Sequence, residues 1–198
     1  MSVYQLCPSP DKSTNEQNYA YWDNAFSESE LTEIRRIGDS YIAAQATVNT
    51  TADTVTEIRR SQVSWLSCNS ETHFIYDRLG YVARMMNGQF FDLDLYGFVE
   101  DLQYTTYNSV EEGHYDWHMD KGNLNSSPRK LSMVLQLSDP TEYEGGDLEF
   151  MMSKDPIKAT KQKGIIYTFP SYILHRVTPV TAGTRKTLVV WLAGPKFK

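Results

Sequence analysis

The sequence has few cysteines, no long apolar run and no excess of positive charge, and each absence excludes a class of protein. Its 198 residues contain only Cys7 and Cys68, too few for a disulfide framework and typical of a reducing compartment. No apolar stretch approaches the roughly eighteen residues needed to cross a membrane. The N-terminus lacks the basic and apolar regions of a signal peptide, so we expect a cytoplasmic protein. The net charge of −6 gives no overall attraction to nucleic acid.

The remaining composition is that of a folded domain. Hydrophobic residues make up 40% of the chain and aromatic residues 13%, enough for one domain with a substantial core. We predict a single domain over 1–198, with a loosely attached polar arm at 1–20, a helical support region at 21–92 and a β-rich core at 93–195. Nothing in the composition indicates an oligomeric state.

Hydrophobic periodicity predicts two helices followed by several short strands. The first helix begins at a capping box, Ser27 to Glu30, and keeps apolar residues at helical spacing. The second spans about 71–86 and ends at Asn87-Gly88. Alternating or β-branched stretches predict strands at 96–107, 130–137, 148–150, 164–170 and 187–192. This order indicates an α+β domain whose β part is a sandwich or barrel.

The most informative motif is His118-Met119-Asp120, followed by His175 and Arg185. In a strand, residues i and i+2 point to the same face, so an imidazole and a carboxylate at this spacing can reach one ion. A third ligand must come from another strand, and His175 is the only histidine after this segment. Two imidazoles and one carboxylate are the ligand set of the facial triad that binds Fe(II) and leaves coordination positions open.

The motif overlaps a second pair, His114 and Asp116, and strand periodicity does not choose between them. The two pairs are offset by four residues, an even number, so both would present their side chains to the same face of the strand. A bare H-x-D is also common by chance, and a histidine in a sheet is usually only hydrogen-bonded. His73, at a polar helix start, is interpreted as a surface histidine.

Longer stretches around these residues carry a family resemblance. They read GHYDWHMD at 113–120, EGGDLEF at 144–150 and HRVTPVTAGTRKTLVVWLAGP at 175–195. Together they resemble the iron(II)- and 2-oxoglutarate-dependent dioxygenases, in particular the prolyl 4-hydroxylase-like branch with its small bacterial and phage members. The segments YWDNAFSESEL and RRSQVSWL are similar to the family's N-terminal part. One departure is a longer gap between Tyr107 and Gly113.

The resemblance implies a double-stranded β-helix, a jelly-roll or cupin-like core with the N-terminal helices packed on one sheet. It implies that Fe(II) is bound by His118, Asp120 and His175, and that Arg185 pairs with the far carboxylate of 2-oxoglutarate. A planar guanidinium suits a bidentate carboxylate better than a lysine does. Further polar residues are expected at the cosubstrate: Thr187, Tyr107, Tyr104, Ser132 and Gln136.

The resemblance also implies a substrate groove. In peptide-hydroxylating relatives an Arg and a Trp of an R-x-S-x-x-x-W segment help to form it. We align Arg60 and Trp65 with that segment, which makes it one residue shorter than the pattern, and core packing is the alternative for Trp65. Tyr115 and Trp117 are further candidates for the groove, and Trp191 is expected in the core. The loop 121–128 directly follows Asp120 and is expected to act as a lid.

The predicted activity is hydroxylation of an unactivated C–H bond, with a prolyl residue in a peptide or protein as the first choice of substrate. Fe(II), 2-oxoglutarate and O2 are the implied cofactors, ascorbate is the implied reductant, and succinate and CO2 are the co-products. The alternatives are a hydroxylase of a free amino acid or another small metabolite, a cupin-like metalloprotein that does not need Arg185, and a non-catalytic interaction module. We expect neither a membrane nor a nucleic acid partner.

Overall fold

The computed structural model of the protein describes residues 17–45, 58–121 and 128–195. The helices are α1 (Glu28–Ser40) and α2 (His73–Met86). The strands are β1 (Ala20–Trp22), β2 (Ala44–Gln45), β3 (Arg59–Arg60), β4 (Gln62–Leu66), β5 (Gly97–Phe98), β6 (Leu102–Asn108), β7 (His114–His118), β8 (Arg129–Gln136), β9 (Tyr143–Gly145), β10 (Leu148–Phe150), β11 (Ile157–Lys158), β12 (Ile166–Pro170), β13 (His175–Val177) and β14 (Val180–Ala193). Neither of these helices is long and apolar enough to cross a membrane.

Helix α1 begins where its sequence predicts. The Ser27 hydroxyl accepts a hydrogen bond from the Glu30 backbone N–H at 3.3 Å, and the Glu30 carboxylate accepts one from the Ser27 backbone N–H at 2.7 Å. These two bonds form the predicted capping box and satisfy N–H groups that the first helical turn leaves free. Leu31, Ile34 and Ile37 are buried on one side of the helix, which fixes the side that contacts the sheet.

Helix α2 starts two residues later than predicted and continues further. The Asn69 side chain accepts hydrogen bonds from the backbone N–H groups of Glu71 and Thr72, so the chain forms a turn before His73. After Met86 a π-helical turn, Asn87–Phe91, replaces the predicted stop. This π-helical turn ends at Asp92, which adopts a left-handed conformation with φ 48°.

The strands form two antiparallel sheets. The larger sheet has the order β1-β12-β8-β14-β6-β4-β2, and β5 and β9 also pair with β14. The smaller sheet has the order β11-β10-β13-β7-β3. One face of the larger sheet packs against the two helices, and its other face packs against the smaller sheet. The predicted arrangement of N-terminal helices on one sheet is therefore confirmed.

Three stretches differ from the sequence prediction. The predicted strand at 96–107 is divided into β5 and β6, and β14 is longer than expected because it pairs in turn with β9, β6, β8 and β5. The end of the predicted loose arm is ordered, since β1 pairs with β12 and the Tyr19 ring stacks on Phe150 at 5.1 Å. Residues 1–16 of that arm and 122–127 of the predicted lid lie outside the described residues.

Candidate active site

Two neighbouring strands and the turn after one of them bring three side chains together between the sheets. His118 at the end of β7 lies directly opposite His175 at the start of β13 in the sheet register. The Nε2 atoms of His118 and His175 lie 3.7 and 3.6 Å from the two carboxylate oxygens of Asp120. One ligand atom from each residue lies within 4.8 Å of the others, so the three side chains can hold one metal ion.

Both imidazole rings direct Nε2 towards the Asp120 carboxylate. The Nδ1 atom of His118 lies 2.7 Å from the Asp116 carbonyl oxygen, and that of His175 lies 2.9 Å from the Ile173 carbonyl oxygen. A carbonyl oxygen only accepts, so Nδ1 carries the proton and Nε2 keeps its lone pair. Burial, followed by the neighbouring His175, lowers the pKa of His118 to about 3. His118 is therefore neutral near pH 7, as a metal ligand must be.

The carboxylate of Asp120 is held by hydroxyl groups. Its Oδ2 atom accepts a hydrogen bond from Ser132 at 2.8 Å, and the Ser132 hydroxyl lies 2.9 Å from that of Ser171. Burial acts to raise the pKa of Asp120, but His175, His118 and nearby donors outweigh it and lower that pKa below its usual value. Ser132 was expected at the cosubstrate, and the structure places it at Asp120 instead.

A β-bulge in β7 separates the two H-x-D pairs. Val177 lies opposite Tyr115 and His175 lies opposite His118, so between these pairs two residues of β7 face one residue of β13. The extra residue shifts the phase of the strand, and the Tyr115 ring stacks on His118 at 3.4 Å although the two are three residues apart. The alternative pair lies outside the cluster, because Asp116 is exposed and His114 Nδ1 contacts the Glu112 carbonyl.

Arg185 lies on β14, on the face of the larger sheet that packs against the smaller sheet, and only 2% of its surface is exposed. Its guanidinium lies 5.5 Å from the Tyr107 ring, and its Nε–H has no hydrogen-bond partner among the described residues. A buried charged donor without a partner is costly, so this atom indicates an acceptor supplied by a ligand. A narrow cleft beside it is lined by Val134, Gln136, Tyr143, Gly146, Leu148, Ala159, Thr160, Lys161 and Tyr167.

The other residues expected at the cosubstrate lie on two opposite faces of the larger sheet. Thr187 is buried and lies opposite Gln136 in the sheet register, and Gln136 donates to the Tyr143 hydroxyl at 3.0 Å. Tyr104 is an odd number of residues from Tyr107 and therefore faces the helices. Its hydroxyl donates to Asp39 at 2.7 Å, which corrects the expectation that it contacts the cosubstrate.

The sequence reasoning missed the contribution of the EGGD turn to this cleft. Gly146 has φ +58°, and a Cβ atom there would lie 3.0 Å from Cδ of Arg185 and 2.9 Å from Cγ2 of Val180. Glycine therefore provides both the left-handed backbone and the space beside Arg185. Tyr143 at the start of the same turn is buried, and burial raises its pKa while the neighbouring Arg185 opposes that change. The signal was the double glycine of EGGDLEF, which entered the sequence prediction only as part of the family resemblance.

A wall of aromatic and cationic side chains lies beside the metal-ligand cluster. Trp65 is 42% exposed, which excludes core packing, and its ring lies 6.3 Å from that of Trp191. The Arg129 guanidinium stacks over Trp191 at 3.6 Å and pairs with Glu100. Trp191 is buried as expected, but its indole N–H belongs to the site. That N–H contributes to the lowered pKa of Asp120, although it has no hydrogen-bond partner of normal geometry in the described parts of the chain.

Arg59, the residue before the predicted Arg60, approaches this cluster through the Tyr115 ring, which stacks on His118. Arg59 is 6% exposed, its guanidinium lies 4.6 Å from the Tyr115 ring, and its Nε donates to Ser61 at 2.8 Å. Arg60 instead lies 3.6 Å from Glu112 in a more exposed position. With Arg59 as the first residue, the R-x-S-x-x-x-W segment fits without a gap up to Trp65.

Trp117 does not lie beside the cluster. Arg176 stacks over its ring at 4.6 Å and pairs with Glu149 at 2.8 Å, on the outer face of the smaller sheet. The bulge that brings Tyr115 onto His118 leaves Trp117 on the opposite side, which corrects the expectation that it contacts the substrate.

Comparison with known proteins finds similarity over the segment that carries these residues. Residues 102–193 match the family model of the 2OG-Fe(II) oxygenase superfamily. A PKHD-type hydroxylase of Synechococcus sp. is 42% identical over 82 residues, which cover 41% of this chain and 37% of that protein. A PKHD-type hydroxylase of Prochlorococcus marinus is 40% identical over 84 residues, covering 42% and 38%. The matches thus span well under half of the length of these relatives.

Solved structures are similar over most of the chain. A prolyl hydroxylase in complex with a hypoxia inducible factor peptide fragment from Trichoplax adhaerens has a TM-score of 0.72 at 16% identity, covering 89% of this chain and 84% of that one. The 2-oxoglutarate complex of a viral collagen prolyl hydroxylase from Paramecium bursaria Chlorella virus-1 has a TM-score of 0.68 at 20% identity, covering 93% and 100%. These similarities confirm the predicted double-stranded β-helix fold.

Proposed function

We propose that this chain, whose residues 102–193 match the 2OG-Fe(II) oxygenase superfamily model, is a 2-oxoglutarate-dependent dioxygenase that hydroxylates a prolyl residue in a peptide or protein. The observation that carries the proposal is a pair of features that the two sheets bring together between them. These are the metal-ligand cluster of His118, Asp120 and His175, and the buried Arg185 whose Nε–H has no partner among the described residues. A cupin-like metalloprotein without 2-oxoglutarate would have no use for such an arginine.

The ligand cluster would hold Fe(II). Its donors are two imidazole Nε2 atoms and one carboxylate, the set that binds Fe(II) and leaves positions free for other ligands. The backbone carbonyls at Nδ1 orient both rings, and Ser132 orients the carboxylate. This preorganisation lets the chain bind the metal without rearranging its ligands.

The cleft beside Arg185 would hold the far carboxylate of 2-oxoglutarate. Arg185 offers charged N–H donors, and the surrounding Gln136, Tyr143 and Thr187 add polar groups in a buried setting. When bound, Fe(II) and 2-oxoglutarate supply the oxidising chemistry, in which O2 and 2-oxoglutarate are converted to succinate and CO2 while a substrate C–H becomes C–OH. Ascorbate would serve as a reductant that keeps the iron ferrous.

The wall beside the ligand cluster would bind and orient the substrate. The rings of Tyr115, Trp65 and Trp191 offer apolar surface for a pyrrolidine ring, and Arg59 and Arg129 offer donors for peptide carbonyls. The similar proteins support this substrate class, since the relatives are PKHD-type hydroxylases and one similar structure is a prolyl hydroxylase with a peptide fragment. Orientation is the chain's own contribution to the rate, because a positioned C–H bond reacts as in a unimolecular step.

The test couples substrate screening to succinate production. Purified protein with Fe(II), 2-oxoglutarate and ascorbate is incubated with proline-containing peptides and, separately, with free amino acids. We expect succinate and a hydroxylated peptide in stoichiometric amounts. Turnover with free amino acids alone would replace the peptide substrate by a small metabolite and leave the reaction class intact.

Substitutions in the two H-x-D pairs provide a matched control. His118→Ala and Asp120→Ala should abolish turnover, whereas His114→Ala and Asp116→Ala, four residues earlier on the same strand, should retain Fe(II) binding. Anaerobic Fe(II) and 2-oxoglutarate should also produce a weak visible charge-transfer band in the wild-type protein. If that band is absent at saturation, or if both His118→Ala and Asp120→Ala still turn over, the proposal fails.

A further inference from the structure

A second cation, Lys161, lines the same cleft as Arg185. The loop after β11 carries it, and its ammonium group lies 4.8 Å from the centre of the Tyr143 ring. The hydroxyl end of that ring accepts from Gln136 and lies close enough to Arg185 for the guanidinium to oppose the rise in the pKa of Tyr143. Tyr143 therefore separates two positive groups that both face the cleft.

Lys161 forms an ion pair with Asp147, and other contacts also hold Asp147 in place. Its Nζ lies 3.0 Å from Oδ1 of Asp147 and donates to the Gly145 carbonyl at 2.5 Å. Asp147 has other contacts, because its second oxygen accepts from Lys158 at 2.8 Å and its backbone N–H donates to the Thr178 hydroxyl at 2.8 Å. Asp147 would thus remain in place if the ammonium group moved to another anion.

We propose that Lys161 is a second cationic contact for the far carboxylate of the 2-oxo acid, and that Asp147 competes with this carboxylate for it. The inference rests on the proposed function, because it assigns the far end of the same cosubstrate cleft. Arg185 and Lys161 together would make the cleft selective for a dicarboxylic 2-oxo acid over a monocarboxylic one. Lys161 would be a binding residue for this selectivity, with no part in the oxidation itself.

Lys161 is the weaker of the two contacts. Its side chain is 28% exposed, whereas the Arg185 residue is 2% exposed, so solvent and salt screen the ammonium group more strongly. We expect removal of its charge to weaken 2-oxoglutarate binding about tenfold, which corresponds to about 1.4 kcal/mol. The effect should shrink as salt is added.

The test compares three substitutions. Lys161→Met should raise the KM and Kd for 2-oxoglutarate about tenfold with little change in kcat, and Lys161→Arg should restore most of the affinity. Asp147→Asn should lower both constants, because it removes the competing anion. Lys163→Met is the matched control, since Lys163 follows two residues later and pairs with Glu28 at 2.6 Å.

The Kd, the thermal midpoint and the cosubstrate selectivity are measured for each variant. The Kd is measured by tryptophan fluorescence under anaerobic conditions, and the thermal midpoint of each variant without ligands shows whether it is folded. Selectivity is the ratio of KM for 2-oxopentanoate to KM for 2-oxoglutarate, which should fall in Lys161→Met and stay unchanged in Lys163→Met.

Lys161→Met is expected to weaken 2-oxoglutarate binding and Asp147→Asn to strengthen it. These opposite effects distinguish a direct contact from a structural role. If Lys161 only braces the turn, both substitutions weaken 2-oxoglutarate binding alike and the inference is overturned. An unchanged Kd in a folded Lys161→Met protein overturns it as well. If the wild-type protein itself binds no 2-oxoglutarate, the failure lies in the proposed function.

Discussion

Replacement of Ser132 by alanine tests how the carboxylate ligand is oriented. Ser132 donates a hydrogen bond of 2.8 Å to Oδ2 of Asp120, and both residues are buried. The substitution removes this donor and also the 2.9 Å contact between the hydroxyls of Ser132 and Ser171. One carboxylate oxygen then loses its hydroxyl partner, so Asp120 is free to rotate in the ligand cluster.

The magnitude follows from the charge on the acceptor. A hydrogen bond to a charged group contributes about 1.5 to 3 kcal/mol, and removal of a group that orients a metal ligand typically weakens metal binding by about 10- to 100-fold. Because the Ser132 site is buried, solvent does not replace the lost donor at full strength. We therefore expect Ser132→Ala to weaken divalent metal binding within this range, and Ser171→Ala, one hydroxyl further away, to weaken it only a few-fold.

The assay is a Mn(II) titration followed by electron paramagnetic resonance, together with the Fe(II) concentration that gives half-maximal turnover. Ser138→Ala is the matched control, because Ser138 is equally buried and donates to the Thr184 carbonyl at 3.2 Å, two residues beyond the far end of β8. It should lower the thermal midpoint without changing metal affinity. If Ser132→Ala binds Mn(II) like the wild-type protein, the hydroxyl does not orient Asp120 and the reasoning is wrong.

Three further predictions concern packing and pH. Gly146→Ala should raise the KM for 2-oxoglutarate and lower the thermal midpoint, because its Cβ would lie 3.0 Å from Cδ of Arg185 on a backbone with φ +58°; an unchanged KM would contradict this account. Gly38→Ala should cost about 1 to 3 kcal/mol in urea unfolding through overpacking against Tyr104, with metal affinity retained. The metal-free protein should lose stability as pH falls from 6.5 towards 3, because the unfolded chain protonates His118 more readily. In urea unfolding between pH 7.5 and 5, the free energy of unfolding should fall less steeply in His118→Gln than in the wild-type protein. Equal slopes against pH would refute this assignment.

Much of the ligand cluster could be predicted from the sequence, because it depends on local spacing. His118 and Asp120 are two residues apart at the end of a strand, and a capping box fixes the start of α1. The family resemblance of 175–195 indicated His175 and Arg185, which the fold brings to one side of the larger sheet. Local patterns of this kind are independent of which distant strand becomes the neighbour.

Tertiary structure decided between the alternatives that local patterns left open. Side chains alternate between the two faces of a strand, so Tyr104 and Tyr107 face opposite sides of the sheet. Only the packing of α1 shows that Tyr104 is the residue on the helix side. The two H-x-D pairs have the same parity, and the bulge opposite His175 shifts the phase between them. A bulge arises from pairing with another strand, so the sequence of β7 alone does not reveal it.

The remaining site residues depend on contacts between parts of the chain that are far apart in sequence. Ser132 reaches Asp120, Arg59 covers Tyr115, and Lys161 enters the cleft of Arg185. The sequence determined the chemistry of the ligands, because their identity and spacing are local properties. Only the tertiary structure decided which side chains surround them, because the pairing of distant strands determines which residues share a face.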